Sequence, residues 1–315
     1  DLTLFSEKIQ ELKDRIASVI VGQEQTVDLV LTAILANGHV LIEGVPGVAK
    51  TLLARLTARL IDADFSRIQF TPDLMPSDVL GTTVFNMKTN GFDFHQGPIF
   101  ADIVLVDEIN RAPAKTQAAL FEVMEERQIS IDGTTHRMGD LYTILATQNP
   151  VEQEGTYKLP EAQLDRFLMK ITMDYPSLEE EVNILERHHT NAALVKLDDI
   201  TPAITKEEVL SLRAFMNQVF VDRTLLQYIA LIVQQTRTSK AVYLGASPRA
   251  SVAMLQSSKA YALLQGRDFV TPEDIKFVAP YVLQHRLILT AEAEMEGYSP
   301  VKVTQRLIDK VEVPK

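Results

Sequence analysis

The sequence of 315 residues contains no cysteine. Disulfide bonds and thiolate metal sites are therefore excluded, and the composition is compatible with a cytoplasmic protein. No apolar run approaches the roughly 20 residues that a membrane-spanning helix requires. No charged segment followed by an apolar core stands at the start, so we expect no signal peptide. Residue 1 is Asp rather than Met, which leaves earlier trimming of the chain open.

Basic residues are also scarce. The chain has 31 Lys and Arg against 42 Asp and Glu, a formal net charge of -11 at pH 7. Sequence-independent binding of nucleic acid needs a basic surface, so this charge argues mildly against it, although a local basic pore is compatible with an acidic chain. The length and a hydrophobic content of 46% indicate two domains with substantial cores.

A phosphate-binding loop is predicted near the start of the chain. The apolar run at residues 40–42 indicates a short buried strand, and leucines recur at helical spacing from residue 52. A strand, a glycine-bearing turn and a helix in this order direct backbone N–H groups and the positive end of a helix at one point. The pattern G-x-x-x-x-G-K-[ST] is met except at its second glycine, which is Ala49. The residues predicted to bind nucleotide here are Gly44, Val45, Pro46, Gly47, Val48, Ala49, Lys50 and Thr51.

Two carboxylates follow a second buried strand. Residues 103–106 are four consecutive apolar residues, and Asp107 and Glu108 come directly after them. In open α/β sheets ligands bind at the carboxyl ends of such strands. We expect Thr51 and Asp107 to hold Mg²⁺, and Glu108 to orient and deprotonate an attacking water.

Two further segments fit a nucleotide site. The predicted strand at residues 142–149 ends in Asn149, whose amide could hydrogen-bond the γ-phosphate or the attacking water. The corner between the first two predicted helices contains Val21 and Gly22, a candidate shelf for an adenine base.

Two arginines are candidates for contact with the nucleotide. Arg166 lies at a helix-to-strand corner, from which it could reach across a subunit interface to a neighbour's γ-phosphate. Arg249 follows Ser247-Pro248 at a predicted helix start. The helix dipole disfavours a cation there unless an anion is close, which points to a nucleotide.

The predicted fold is α/β: a five-stranded parallel sheet flanked by helices, with a C-terminal all-α lid that closes on the nucleotide. Tyr175-Pro176-Ser177 marks the predicted boundary between a core at residues 1–175 and a lid at residues 176–315. Asn90-Gly91 and Asp132-Gly133 predict two hairpins, at about residues 82–94 and 128–138.

The order of these motifs resembles that of an AAA+ ATPase, and their amino-acid sequences resemble those of the MoxR family. The similarity covers nearly the whole chain; that family tolerates alanine before the lysine of the phosphate loop. The segments that carry the resemblance are residues 44–51, 105–113, 146–150 and 161–167.

The resemblance implies ATP and Mg²⁺ as ligands and a role for each matching residue. Lys50 and Thr51 match Walker A, and Asp107 and Glu108 match Walker B. Asn149 matches sensor 1, Arg166 the arginine finger and Arg249 sensor 2. The two hairpins would be the helix-2 insert, within about residues 71–98, and the pre-sensor insert, both facing a central pore.

The resemblance also implies a homo-oligomer, commonly a hexamer, that remodels protein clients in metalloprotein or complex maturation. A protein with a von Willebrand factor A domain is the expected partner. Three alternatives stay open: a nucleic-acid translocase of the minichromosome-maintenance type, the ATPase subunit of a metal chelatase, and a non-catalytic nucleotide-gated adaptor.

Overall fold

A computed structural model describes residues 2–45, 49–149, 157, 159–190 and 196–315. Its centre is a parallel sheet of five strands, as the sequence predicts. The strands are β1 (Val40–Gly44), β2 (Phe65–Gln69), β5 (Ile103–Asp107), β8 (Thr143–Gln148) and β9 (Met169–Met173). Their order across the sheet is β2-β5-β8-β1-β9. The strand β5 is buried at every position, which explains its uninterrupted apolar run.

Helices of the first half of the chain flank the sheet. In the first helix, α1 (Leu2–Val19), the apolar residues Ile9, Leu12 and Ile16 recur at helical spacing and are buried. These helices are α1 (Leu2–Val19), α2 (Glu24–Leu35), α3 (Lys50–Leu60), α4 (Pro76–Leu80), α5 (Ala114–Glu126) and α6 (Glu161–Leu164).

Two hairpins project from this core, at the predicted positions. The first pairs β3 (Gly81–Asn86) with β4 (Gly91–Gln96), and the second pairs β6 (Gln128–Ile131) with β7 (Thr134–Arg137). They contact each other, because the Phe94 and His136 rings stack at 4.4 Å between centroids.

The C-terminal region is helical, as predicted, apart from a small antiparallel pair of strands. The helices are α7 (Leu178–His189), α8 (Lys206–Phe215), α9 (Arg223–Thr238), α10 (Pro248–Leu264), α11 (Pro272–Leu283), α12 (Ala291–Met295) and α13 (Pro300–Lys310). The paired strands are β10 (Val242–Leu244) and β11 (Ile288–Leu289).

The C-terminal helices dock on one edge of the core. α10 packs against α2, and α11 packs against β9, the edge strand of the sheet. One continuous apolar cluster joins residues of both halves of the chain. The boundary at residue 175 therefore stays a prediction. Among the described residues no helix is long and apolar enough to cross a membrane.

Candidate functional site

The phosphate loop lies where β1 ends and α3 begins. Ala49 precedes α3, Lys50 is its first residue and Thr51 its second. The Lys50 ammonium donates a hydrogen bond of 3.0 Å to the carbonyl of Gly44, the last residue of β1, and Val45 follows that strand. Pro46, Gly47 and Val48, which the sequence predicts to cradle the phosphates, lie outside the described residues. The lysine and the start of a helix thus meet at the carboxyl end of the sheet, which suits an anion.

Asp107 ends β5 at the same edge of the sheet and is almost completely buried. Its Oδ1 accepts a hydrogen bond of 3.0 Å from the Thr147 hydroxyl, and its Oδ2 accepts one of 2.6 Å from Arg67 Nε. These partners fix the carboxylate in one orientation beside Lys50.

Glu108 follows Asp107 in a left-handed backbone conformation, with φ of 54°. Its backbone N–H donates to Thr147 Oγ1 at 3.0 Å. Its Oε2 accepts two hydrogen bonds, at 3.0 Å from Gln69 Nε2 and at 2.9 Å from Arg111 Nη1. A non-glycine residue in this conformation is uncommon and clusters at functional sites.

The charges at this edge influence one another. Burial lowers the pKa of Lys50, and the carboxylates of Asp107 and Glu108 oppose that shift. Within the described ranges no three His, Asp or Glu side chains converge as a metal site. Mg²⁺ in such sites uses one or two carboxylates together with substrate phosphates and waters, so the pair Thr51 and Asp107 fits its chemistry.

Asn149 comes directly after β8, and β8 pairs with both β1 and β5. It is partly exposed at the carboxyl edge of the sheet. The structure therefore brings Lys50, Thr51, Asp107, Glu108 and Asn149 to one edge, as the sequence predicts.

A cavity of about 280 Å³ lies beside the phosphate loop. Val21 lines this cavity, and Gly22 adjoins it. Gly22 has a φ of 77° and lies so close to Glu180 that a Cβ at residue 22 would meet the Glu180 carboxylate. The remaining lining residues come from the ends of α1 and α3 and from α7; they are Val19, Ile20, Gln23, Ala49, Leu52, Pro176, Ile184, Arg187 and His188. The walls are largely apolar, which suits a flat heteroaromatic base.

Arg166 and Arg249 lie together on a different surface. Arg166 Nη1 donates to the Phe121 carbonyl at 3.0 Å and lies 3.6 Å from Glu125 Oε2. Arg249 Nη2 lies 3.6 Å from Glu125 Oε1, and its Nη1 lies 3.4 Å from Asp165 Oδ2. The anions expected beside Arg249 are thus two carboxylates of the protein itself.

This pair of arginines lies at the amino edge of the sheet, opposite the phosphate loop. Met124, next to Glu125, accepts a hydrogen bond at its carbonyl from His39, the residue before β1. Lys50 is bound to the other end of that strand, which is five residues or roughly 16 Å long. Arg249 therefore cannot contact phosphates bound by Lys50 of the same chain. α7, rather than α10, lies beside the nucleotide corner.

Sequence profiles of two known families match the chain. The profile of the ATPase family associated with various cellular activities (AAA) matches residues 39–169, and that of the AAA lid domain matches residues 234–309. Chaperone MoxR1 of Mycobacterium tuberculosis is 44% identical over 94% of this chain and 80% of its own length. Protein MoxR of Methylorubrum extorquens is 30% identical over 93% of this chain and 91% of its own length.

The chain belongs to the MoxR family of AAA+ ATPases. A solved structure of a protein from Cytophaga hutchinsonii has the same fold, with a TM-score of 0.91 and 41% identity, covering 100% of this chain and 97% of that one.

Sequence reasoning missed several residues around this AAA+ site. Arg67 and Gln69 are two residues apart on β2, which pairs with β5, so both side chains point to the two carboxylates. Because side chains on one face of a strand recur every two residues, both residues could have been identified once the strand order was known. Arg111 lies three residues after Glu108, within reach of it. His188 is an exposed residue of α7 that also lines the cavity. No local signal indicated that α7 would pack there.

Proposed function

We propose that this MoxR-family protein is an Mg²⁺-dependent ATPase that assembles as a ring and remodels protein clients as a chaperone. What carries the proposal is the separation of two half-sites within one chain. The carboxyl edge of the sheet holds a lysine, two carboxylates and an apolar cavity. The amino edge holds two arginines that cannot reach them in the same chain.

The carboxyl edge offers a lysine and two carboxylates, and the amino edge offers two exposed or half-buried arginines. Phosphoryl transfer needs cations at the transferred group in addition to the lysine of the phosphate loop. Arg249 has 65% of its side chain exposed and Arg166 has 28%, so both are accessible to a second copy of the chain. A ring in which the amino edge of one subunit faces the carboxyl edge of the next would complete every site.

Each residue then has a role in hydrolysis. Lys50 and the start of α3 would bind the β- and γ-phosphates. Thr51 and Asp107 would hold Mg²⁺, which supplies positive charge against the phosphate oxygens. Glu108 would accept the proton of the attacking water, while Gln69 and Arg111 restrain its carboxylate through Oε2. Asn149 would orient that water or the γ-phosphate.

The adenine would occupy the cavity beside Val21 and Gly22. Its apolar lining and its position beside Ala49 and Leu52, at the start of α3, support this assignment. Gly44, Val45 and Ala49, at the two ends of the loop, would supply backbone N–H groups to the phosphates.

The first hairpin supports a protein client. Phe85, Met87 and Phe92 are 48%, 86% and 72% exposed near its tip, where Lys88 is the nearby cation. Exposed apolar side chains of this kind bind apolar segments of polypeptide. A nucleic-acid translocase needs a basic channel instead, so DNA that stimulates turnover in a steeply salt-dependent way would favour that alternative.

The chaperone assignment takes its support from the name of the mycobacterial relative, Chaperone MoxR1. A hexameric ring, a partner with a von Willebrand factor A domain and a cytoplasmic location rest on the resemblance to the family. The chelatase alternative would use the same site and differ in its client.

The test measures turnover of Mg-ATP per subunit against protein concentration. We expect specific activity to rise with concentration as shared sites form. Arg166→Ala and Glu108→Gln should each be inactive alone, because one lacks the arginine and the other the base. Their equimolar mixture should regain activity, since intact sites form where a Glu108→Gln subunit supplies Arg166 to its neighbour.

Activity that is independent of concentration and unaffected by Arg166→Ala would overturn the shared site. Full turnover in Glu108→Gln would show that Glu108 is not the base. Loss of nucleotide binding in that variant would show that Glu108 has a different role. Omission of Mg²⁺, with EDTA present, should abolish turnover of the unmodified protein.

A further inference from the structure

Arg286 is a buried arginine in the C-terminal region, within the single turn Gln284–Arg286 that follows α11. Its side chain is 6% exposed. A guanidinium has five N–H donors, and all five are used here. The acceptors are Asp165 Oδ1 at 2.7 Å, the Asp165 carbonyl at 3.2 Å, the Phe167 carbonyl at 3.1 Å, the Leu168 carbonyl at 3.1 Å and the Val282 carbonyl at 2.7 Å.

Four of these five acceptors belong to the corner that carries Arg166. The two residues before Arg286 bind the same segment: His285 Nε2 lies 2.8 Å from the Phe167 carbonyl, and Gln284 donates to the Lys170 carbonyl. A single turn of the C-terminal region therefore fixes the backbone on both sides of Arg166.

The Asp165 carboxylate is shared between two arginines. Its Oδ1 binds the buried Arg286, and its Oδ2 faces the exposed Arg249 at 3.4 Å. Arg249 in turn shares Glu125 with Arg166, each with one carboxylate oxygen. Arg286, Asp165, Arg249, Glu125 and Arg166 thus form one continuous chain of charges, with its buried end at Arg286.

We propose that Arg286 is a positioning residue for the shared site: through Asp165 it sets the separation and orientation of Arg166 and Arg249. The inference rests on the proposed function, since it assumes that these arginines act on the nucleotide of a neighbouring copy. Arg166 comes from the core and Arg249 from α10, so their spacing depends on how these two parts dock. Arg286 hydrogen-bonds both the end of α11 and the corner that carries Arg166. Because it also fixes the Asp165 carboxylate, it sets the position of the anion that Arg249 faces.

Loss of this anchor should displace the two cations without removing either of them. A misplacement of about 1 Å in a catalytic constellation can cost on the order of 100-fold in rate. The defect should appear only in the site to which the altered subunit supplies its arginines. Its own phosphate loop lies at the other edge of the sheet and should bind ATP normally.

The experiment places Arg286→Met on one or the other partner of the mixture of Arg166→Ala and Glu108→Gln subunits. On the Glu108→Gln subunit, which supplies the working arginines, we expect restored turnover to fall by about 10- to 100-fold. The Arg166→Ala subunit supplies no arginine to a working site. With Arg286→Met on that subunit, we expect restored turnover to stay within about twofold. Binding of a fluorescent ATP analogue to Arg286→Met alone should equal that of the unmodified protein.

Arg213→Met is the matched control. Arg213 is also a partly buried arginine of the C-terminal region that donates to core carbonyls, those of Asp140 and Ile34, but it lies away from the Asp165 corner. We expect it to affect the mixture equally on either partner. Asp165→Asn keeps the shape of the side chain, and it should reproduce the one-sided defect if Arg286→Met does not fold.

Equal losses from Arg286→Met on either partner, or no loss from either, would overturn the positioning role. A failure of the proposed function would be recognised by a different result: the mixture of Arg166→Ala and Glu108→Gln subunits would not regain activity even without Arg286→Met.

Discussion

The two edges of the central sheet differ in charge, in burial and in the parts of the chain that build them. The carboxyl edge combines Lys50 with Asp107 and Glu108, all contributed by segments that follow core strands. The amino edge combines Arg166 with Arg249, contributed by the core and by α10. Both edges hold cations and carboxylates, since Arg67 and Arg111 lie beside Asp107 and Glu108, whereas Glu125 and Asp165 lie beside the two arginines.

In the proposed function this difference is the reason that one edge would not suffice. The carboxyl edge would bind the nucleotide and provide the base, but the arginines of the amino edge lie out of reach in the same chain. The amino edge can supply two cations, and the carboxylates beside them, those of Glu125 and Asp165, make it unsuited to binding a phosphate by itself. Binding should therefore belong to one subunit and turnover to a pair of subunits.

The largest expected effect separates binding from turnover. Lys50→Ala should weaken ATP binding on the order of 100-fold, because it removes a charged hydrogen-bond donor to phosphate. Arg166→Ala should leave binding almost unchanged and lower turnover by about 1000-fold or more, the contribution typical of an arginine finger. Titration with a fluorescent ATP analogue and phosphate release measure the two quantities.

Arg306→Ala is the control for this pair. Arg306 stacks on Tyr298 in the C-terminal region, at 4.5 Å from its ring centre, and should affect neither quantity. Equal losses of binding in Lys50→Ala and Arg166→Ala would contradict the division between the edges.

A second, smaller effect concerns pH and the stability of the amino edge. His39, just before β1, is hydrogen-bonded to both α5 and β8. Its Nε2 donates to the Met124 carbonyl at 3.1 Å, and its Nδ1 accepts from the Ile144 N–H at 3.0 Å. Burial lowers the pKa of His39 to about 3. Between this value and the ordinary 6.5, the unfolded chain binds a proton that the folded protein does not, so stability falls as pH falls.

Between pH 6 and pH 4 this histidine should remove about 2 kcal/mol of unfolding free energy. His39→Gln can keep both hydrogen bonds without titrating, so its stability should depend less steeply on pH. Urea unfolding at pH 6, 5 and 4 measures the slopes. His285, whose pKa burial also lowers, should leave a residual slope in the variant. Identical slopes in the two proteins would show that His39 does not contribute.

The sequence predicted the carboxyl edge better than the amino edge, for a physical reason. A buried parallel strand requires an apolar run, and the residues after it must lie at one edge of the sheet. Lys50, Asp107 and Asn149 could therefore be assigned from local patterns alone. The sequence also predicted a parallel sheet of five strands, and the turns at Asn90-Gly91 and Asp132-Gly133 predicted the two hairpins.

The position of Arg249 could not be predicted in this way. Helical periodicity shows which face of α10 is buried but not which surface receives it. α10 docks on α2, and this docking carries Arg249 to the amino edge. Arg249 was expected to contact a nucleotide, and within one chain it lies away from the phosphate loop; α7, another helix of the predicted lid, lines the cavity beside that loop.

Gly22 provides a third and smaller test, at the corner where the adenine would bind. Its φ of 77° costs a residue with a side chain about 1–2 kcal/mol, and a Cβ would displace the Glu180 carboxylate. We expect Gly22→Ala to weaken ATP binding about fivefold. Gly133→Ala is the control, since Gly133 has φ of 80° with nothing within 4 Å and lies in the second hairpin. Equal affinities for Gly22→Ala and the unmodified protein would remove this corner from the site.

The smallest expected effect is an increase in activity. Gln69 and Arg111 both donate to Glu108 Oε2 and so restrain the carboxylate in its present orientation. An exposed hydrogen bond of this kind is worth about 0.5–1 kcal/mol, so Gln69→Leu should raise basal turnover about two- to fivefold. Gln148→Leu is the control, because Gln148 lies at the same edge but binds Glu43. A fall in turnover in Gln69→Leu alone would mean that Gln69 holds Glu108 in its working orientation, and the carboxyl edge would then be preorganised rather than restrained.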